Sequence, residues 1–284
     1  MKTAILKIEC ADRPGLIAEI TNFVFQNRGN IVNLDQHTDK KFEKFFMRFE
    51  WEIENFLIEK KNLKTEFTKF FQQKKIAAQW EIFFSWKKMK AAIFVSKTEH
   101  CLFDLLLRVQ KNELPIEIAG IFSNHKILQK VAENFGIKFF YVPVPPAEKK
   151  LAEKAQLEIL QKIGADFVIL ARYMQILSAD FVKNFRNKII NIHHSFLPAF
   201  KGANPYRRAH DRGVKIIGAT AHFVTKDLDC GPIISQNIAK ISHRENVEDL
   251  IARGCDTERT TLSAAVKLFA HHRIFVCGGR TIVL

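Results

Sequence analysis

The chain has 284 residues, 47% of them apolar and 26% charged, with a formal net charge of +14. That length suits two domains, and no apolar run reaches the roughly 18–20 residues needed to cross a bilayer, so no membrane partner is expected. The positive balance attracts anions in general. Its lysines, however, are spread along amphipathic segments such as residues 60–75 and 87–90, with no zinc finger, RNP-type aromatic motif or terminal basic arm. Nucleic acid is therefore not expected as a partner. The five cysteines, Cys10, Cys101, Cys230, Cys255 and Cys277, are scattered and include no C-x-x-C pair. They indicate neither a disulfide framework nor a zinc site and fit a reducing cytoplasm. The first ten residues soon meet charge and do not read as a signal peptide.

In chain order, residues 3–10 alternate apolar and polar side chains, as a half-buried strand does. Ala11-Asp12-Arg13-Pro14-Gly15 makes a turn, after which Leu16, Ile17, Ile20, Phe23 and Val24 recur at helical spacing until Gly29-Asn30. Strands are predicted over 31–38 and 42–53, around the polar turn Asp39-Lys40-Lys41, then a helix over 56–73 and a strand over 78–84. This β-α-β-β-α-β order is a ferredoxin-like arrangement, and it sets a first domain at residues 1–86. A second domain, residues 87–284, alternates strands at 91–95, 116–122, 139–142, 167–170 and 189–192 with helices at 101–110, 126–135 and 147–163. Such alternation predicts an α/β fold with a doubly wound, mainly parallel sheet whose ligands bind at the carboxyl ends of the strands. Strands over 214–224 and 233–239, a helix over 247–269 and a hairpin over 274–283 complete the domain.

Three polar side chains stand out by position. Asn191 and His193 end the apolar strand that closes at Ile192, and Asp229 lies in the loop Thr225-Lys226-Asp227-Leu228-Asp229-Cys230-Gly231-Pro232. An amide, an imidazole and a carboxylate can together cleave a formamide without a metal. The amide donates to the carbonyl oxygen as it becomes an oxyanion, the imidazole shares that load or moves a proton, and the carboxylate orients the imidazole and polarises water. Spacing alone leaves another reading open, in which Asn191 forms a strand-end turn, His193 is an ordinary loop histidine and Asp229 a turn carboxylate.

Asn191-Ile192-His193-His194-Ser195-Phe196-Leu197-Pro198, followed by Leu228-Asp229-Cys230-Gly231-Pro232-Ile233-Ile234, resembles the signature of the folate-dependent formyltransferase superfamily. The resemblance implies that Asn191, His193 and Asp229 are the catalytic residues, with oxyanion stabilisation by Asn191 and His193 and water activation by Asp229 and His193. His222 matches a family position beside the aspartate, as a supporting histidine or a proton carrier. Arg172-Tyr173-Met174-Gln175-Ile176-Leu177-Ser178 resembles the loop whose backbone hydrogen-bonds a pterin, so Met174, Gln175, Ile176 and Leu177 are expected at the folate. Lys201-Gly202-Ala203-Asn204-Pro205-Tyr206 is expected as a mobile loop over the site. Neither metal nor other cofactor is implied.

Within that superfamily the acceptor of the formyl group is an amine or water. Val95-Ser96-Lys97-Thr98-Glu99-His100-Cys101-Leu102 lacks the Gly-Ser-Asn phosphate cradle of the glycinamide-ribonucleotide transferases and contains a carboxylate that repels phosphate. It resembles the branch that uses water, as does His194 after His193. Phe103 departs from that branch's small residue and would alter access if it packed into the cleft. The front segment, with Asp12-Arg13-Pro14-Gly15-Leu16, resembles an ACT domain, which often binds amino acids between paired copies. Asp12, Gly15, Asn30 and Asn33 are the candidate effector contacts, and at least a dimer is expected. The order of an ACT domain before a formyltransferase-type domain implies hydrolysis of 10-formyltetrahydrofolate to formate and tetrahydrofolate in the cytoplasm, balancing one-carbon pools and supplying purine synthesis. Two alternatives stand beside it: formyl transfer to a phosphorylated amine such as glycinamide ribonucleotide, and a non-catalytic ACT-based sensor.

Overall fold

The computed structural model describes residues 1–198 and 205–284. It contains two compact units. The first comprises Met1–Lys88 together with His272–Gly278 and Ile282–Leu284; the second comprises Met89–His271 and Gly279–Thr281.

In the first unit, β1 (Thr3–Ala11), α1 (Leu16–Gln26), β2 (Ile31–Asp39), β3 (Lys44–Glu52), α2 (Leu63–Gln73) and β4 (Ala78–Phe84) form an antiparallel sheet in the order β2-β3-β1-β4. Alternation along β3 divides its side chains between two faces. Phe45, Met47, Phe49 and Trp51 enter a core with Leu16, Ile20 and Val24 of α1 and Phe67, Phe70 and Phe71 of α2. α2 begins at Leu63, later than the predicted residue 56, because the preceding segment bonds elsewhere. The Leu57 N–H donates to the Asn27 carbonyl, and Phe56 packs its ring on Trp51.

The opposite face of β3 carries Phe46 and Arg48, both buried. What covers Phe46 is the end of the chain: its ring meets Phe275 at 5.3 Å, with Cys277 in the same cluster. The Lys7 ammonium lies 4.5 Å from the Phe275 ring centre and donates to the Ile274 carbonyl, and Arg273 pairs with Asp35 at 3.1 Å. The boundary expected at residues 87–284 therefore does not describe the C-terminal segment, whose β12 (Ile274–Cys277) packs with the first unit. A sheet with apolar residues on both faces needs a second cover, and this strand supplies it.

The second unit has β5 (Met89–Val95), α3 (His100–Gln110), β6 (Ile116–Ser123), α4 (Gln129–Asn134), β7 (Phe139–Tyr141), α5 (Lys149–Ile163), β8 (Phe167–Leu170), α6 (Ala179–Asn184), β9 (Ile189–His193), α7 (Pro205–Asp211), β10 (Ile216–Phe223), β11 (Ile233–Lys240) and α8 (Val247–Ala270). Its seven strands run in the order β11-β10-β9-β8-β5-β6-β7. The five from β9 to β7 are parallel, while β10 and β11 are antiparallel to their neighbours. Near-continuous apolar runs such as Ala91–Val95 suit strands buried on both faces. The sequence pattern gave no helix between β8 and β9. The missed α6 is announced only by Ser178, whose hydroxyl accepts from the Phe181 N–H as an N-cap.

Replacing Phe275 by alanine opens a void against Phe46, and a loss of about 3 kcal/mol is expected for the first unit. Urea unfolding followed by the fluorescence of Trp51, Trp80 and Trp86, all in the first unit, would show the midpoint falling, and an unchanged midpoint would contradict this packing.

Candidate active site

The site is built where β9 ends beside β10. Asn191 and His193, two residues apart on β9, project to the same face. His222 lies directly opposite Asn191 in the antiparallel pair of β9 and β10. A register shift between Ala221 and His222 against β11 re-aims this end of β10. The loop that follows returns Asp229 to the same point. Gly231 permits that return, because a Cβ there would stand 1.6 Å from the Phe223 carbonyl oxygen. Asp229 itself has φ of 52°, a left-handed conformation that a side chain seldom adopts without a compensating role.

The contacts are directional. Nδ1–H of His222 donates to the Phe223 carbonyl at 2.9 Å, which leaves Nε2 as the acceptor for the Asn191 amide, Nδ2 to Nε2 3.2 Å. That fixes the Asn191 amide and leaves its second N–H for a ligand. His193 Nδ1 lies 3.3 Å from Asp229 Oδ2, and His222 Nε2 lies 3.6 Å from Oδ1, beyond hydrogen-bond length. Among the described residues, His193 Nε2 is buried without a hydrogen-bond partner. Burial opposes ionisation of Asp229, but His193 and His222 outweigh it and hold the carboxyl well below the usual carboxylate range.

These groups line a cavity of about 860 Å³. Met174, Gln175, Ile176 and Leu177 line it too, at the carboxyl end of β8. Met174 and Ile176 are exposed while Leu177 is buried, so one apolar loop offers both a platform and an anchor. Its backbone is pinned from below: the Met174 N–H donates to Ser96 Oγ at 3.0 Å and the Ser178 N–H to Glu153 at 2.8 Å. The structure thus brings together Asn191, His193, His222, Asp229 and all four residues of the 174–177 segment. Phe103 packs on Phe135, just after α4, ring centres 6.3 Å apart, and does not line the cavity. Of the expected loop at residues 201–206, residues 201–204 lie outside the described residues.

The front-unit candidates are not brought together in one chain. Gly15, at φ 88°, and Asp12, whose N–H donates to the Glu43 carbonyl, sit at the Ala11 end of the sheet. Asn30 and Asn33 sit at the other end, where Asn30 donates to Glu52 and Asn33 accepts from Arg48. Eight ladder steps separate the two ends, roughly 25 Å.

A second charged group in the same cavity escaped the sequence reading. Glu258, 1% exposed in mid-α8, accepts from the Tyr206 hydroxyl at 2.7 Å and pairs with His100 Nε2 at 2.9 Å, while Arg172 Nε lies 3.5 Å away. Gly254 leaves the space in which Tyr206 sits, since a Cβ there would meet its ring at 2.2 Å. The available signal was a carboxylate on the otherwise small and apolar stripe of Leu250, Gly254, Thr261, Leu262 and Ala265. Ligand atoms of His100, Cys101 and Glu258 lie within 4.8 Å of one another, the spacing of a metal site. Both Glu258 oxygens are already engaged by Tyr206 and His100, however, and the facing guanidinium disfavours a cation.

A formyl transferase family model matches residues 89–266 and an ACT domain model residues 4–50. A formyltetrahydrofolate deformylase of Synechocystis sp. is 49% identical over 281 residues, covering 99% of this chain and 98% of its own. The chain belongs to the formyltetrahydrofolate deformylase family. A solved formyltetrahydrofolate deformylase from Pseudomonas syringae pv. tomato superposes with a TM-score of 0.97 at 37% identity, covering 100% of this chain and 95% of that one. A glycinamide ribonucleotide transformylase from Symbiobacterium toebii matches only 69% of this chain and 94% of its own, with a TM-score of 0.66 at 32% identity. Deformylase relatives thus share the whole two-unit chain, and this transferase shares part of it. No described helix is long and apolar enough to cross a membrane.

His194, between the two charged groups, is pushed down to about 4 by burial first and then by the charges of Arg172 and His193, against the opposing pull of Glu258 and Asp229. An unfolded imidazole takes its proton near pH 6.5, so this neutral ring contributes stability above that pH, which is lost as pH falls towards 4. Chemical denaturation at pH 7 and pH 5 should show a smaller pH-dependent loss for His194→Gln than for the wild type; equal losses would contradict a half-buried neutral ring.

Proposed function

We propose that this chain hydrolyses 10-formyltetrahydrofolate to formate and tetrahydrofolate, with Asn191, His193 and Asp229 as its catalytic residues. One observation carries the reading. The three groups converge on a single cavity in a chain whose relatives over its full length are formyltetrahydrofolate deformylases. The pterin lies on the 174–177 segment, which offers apolar surface and backbone donors and acceptors to a flat heterocycle. The formyl carbonyl then reaches the free N–H of Asn191.

A carboxyl held as low as that of Asp229 is a weak proton acceptor. Its part is to orient His193 and stabilise the imidazolium that forms. His193 Nε2 takes a proton from water as the water oxygen bonds to the formyl carbon, and the carbonyl electron pair moves onto its oxygen. Asn191 and the charged His193 hold that oxyanion, an effect of about 3–4 kcal/mol per donor. Collapse breaks the carbon–N10 bond, and N10 leaves with the proton from His193. The remaining water hydrogen stays on formic acid, which ionises. His222 keeps the Asn191 amide in register. The scheme uses no metal or other cofactor.

Formate released in this way feeds formate-consuming steps of purine synthesis and rebalances one-carbon pools, in the cytoplasm. The ACT-like unit is the regulatory and pairing module. Gly15 and Asn30 lie at opposite ends of one sheet, so a two-fold related second copy would set the turn of one chain beside the Asn30 and Asn33 end of the other, which supports an amino-acid effector bound across a dimer.

The deciding assay measures formate released by purified protein with no amine present. Release without amine supports hydrolysis, and transfer only when an amine is supplied overturns it. Asp229→Asn should lower kcat at least 100-fold while KM for the folate changes little; turnover near the wild-type rate would remove Asp229 from the mechanism.

A further inference from the structure

One carboxylate, Glu258, faces two cations at the far wall of the cavity, Arg172 and His100. Burial disfavours the His100 imidazolium, but its bonds to Cys101, Cys255 and Glu258 outweigh that, and its pKa is pushed up to about 12. Glu258 stays ionised because His100, Arg172 and Tyr206 offset its burial. The group therefore carries a net charge of about +1 in a low-dielectric wall. Its unmet capacity is on Arg172: among the described residues, Nε and Nη1 are buried with no hydrogen-bond partner, and the Glu258 oxygen lies at 3.5 Å from Nε. Buried guanidinium N–H groups without acceptors are costly, and a carboxylate is a strong, charge-assisted acceptor for a guanidinium. Arg172 is also held at φ 63°, so the backbone is strained to present this side chain.

His194 connects the reacting groups to this wall. The His193 and His194 rings are 5.0 Å apart, and His194 and Tyr206 are 6.3 Å apart. His194 feels the charges of both His193 and Arg172. It is a neutral spacer between the place where a carboxylate is made and the nearest under-used cation. A one-carbon carboxylate formed beside His193 is repelled by Asp229 and attracted towards Arg172.

We propose that Arg172 is a subsite for a small carboxylate, and that its ligand is the formate produced at His193. The inference rests on the hydrolytic reading and adds a product-side site to it. Formate accepts from the Arg172 guanidinium where it lines the cavity, near the His194 ring. Glu258 competes with it for the same guanidinium and sets its affinity.

The test titrates ¹³C-formate into the full-length protein and follows its line broadening, with folding checked by thermal melting. Wild type should bind saturably, Arg172→Met at least tenfold more weakly, and Glu258→Gln several-fold more tightly because the competing carboxylate is gone. A tightening cannot come from general structural damage, so Glu258→Gln decides the matter even if Arg172→Met does not fold. Equal binding by wild type and a folded Arg172→Met, no tightening in Glu258→Gln, or no wild-type binding at 100 mM on the order of the weakest useful affinity would each overturn the subsite. Formate release without amine is measured on the same preparation. Its absence defeats the hydrolytic reading, whereas release without binding at Arg172 defeats the subsite alone.

Discussion

The contact of the Asp229 carboxylate with the His193 and His222 rings is what the catalytic unit is arranged to make. A carboxylate half-buried at a sheet end needs cationic or hydrogen-bonding neighbours to remain charged. His193 on β9 supplies one, its Nδ1 lying 3.3 Å from Oδ2, and His222 stands beside it at the shifted end of β10. In return the carboxylate fixes the His193 ring through Nδ1, so that Nε2 faces the cavity chemistry. The left-handed backbone at Asp229 and the glycine at 231 are the local costs of bringing the loop back. His222 completes the arrangement by orienting the Asn191 amide through Nε2.

The cavity holds two charged groups with opposite balances. Around Asp229 a single carboxylate is shared by two imidazoles, while around Glu258 a single carboxylate is shared by an arginine and an imidazolium. His194 keeps them apart without adding charge of its own. A ligand lying on the 174–177 segment therefore meets the cluster of Asn191, His193 and Asp229 on one side and a net positive wall on the other. That wall disfavours an ammonium group and leaves neutral water unhindered, in keeping with a chain whose family carries the deformylase name.

Much of this could be read in the amino acids, for physical reasons that differ from place to place. β5, β8 and β9 announce themselves as short apolar runs because parallel strands are buried on both faces. The front unit shows its β-α-β-β-α-β order because its strands alternate and its helices carry one apolar stripe. Asn191, His193 and Asp229 could be paired only through a long motif, as nothing in their spacing says that a loop beyond β10 returns to β9. α6 is six residues long and too short to show a 3.6-residue period. Glu258 is not legible because a helix with many charged residues hides one that points inward, and its partners come from three distant segments, at His100, Arg172 and Tyr206.

The placement of β12 in the front unit has a bearing on how the chain is made. Synthesis delivers the four-stranded sheet first, but the strand that shields Phe46 emerges only after the residues from Met89 to His271. Until then the nascent front unit carries a bare aromatic on its uncovered face, a surface open to wrong partners and to chaperones. The catalytic unit meanwhile has nearly all of its residues in hand. The sheet made before the catalytic unit is thus completed after it.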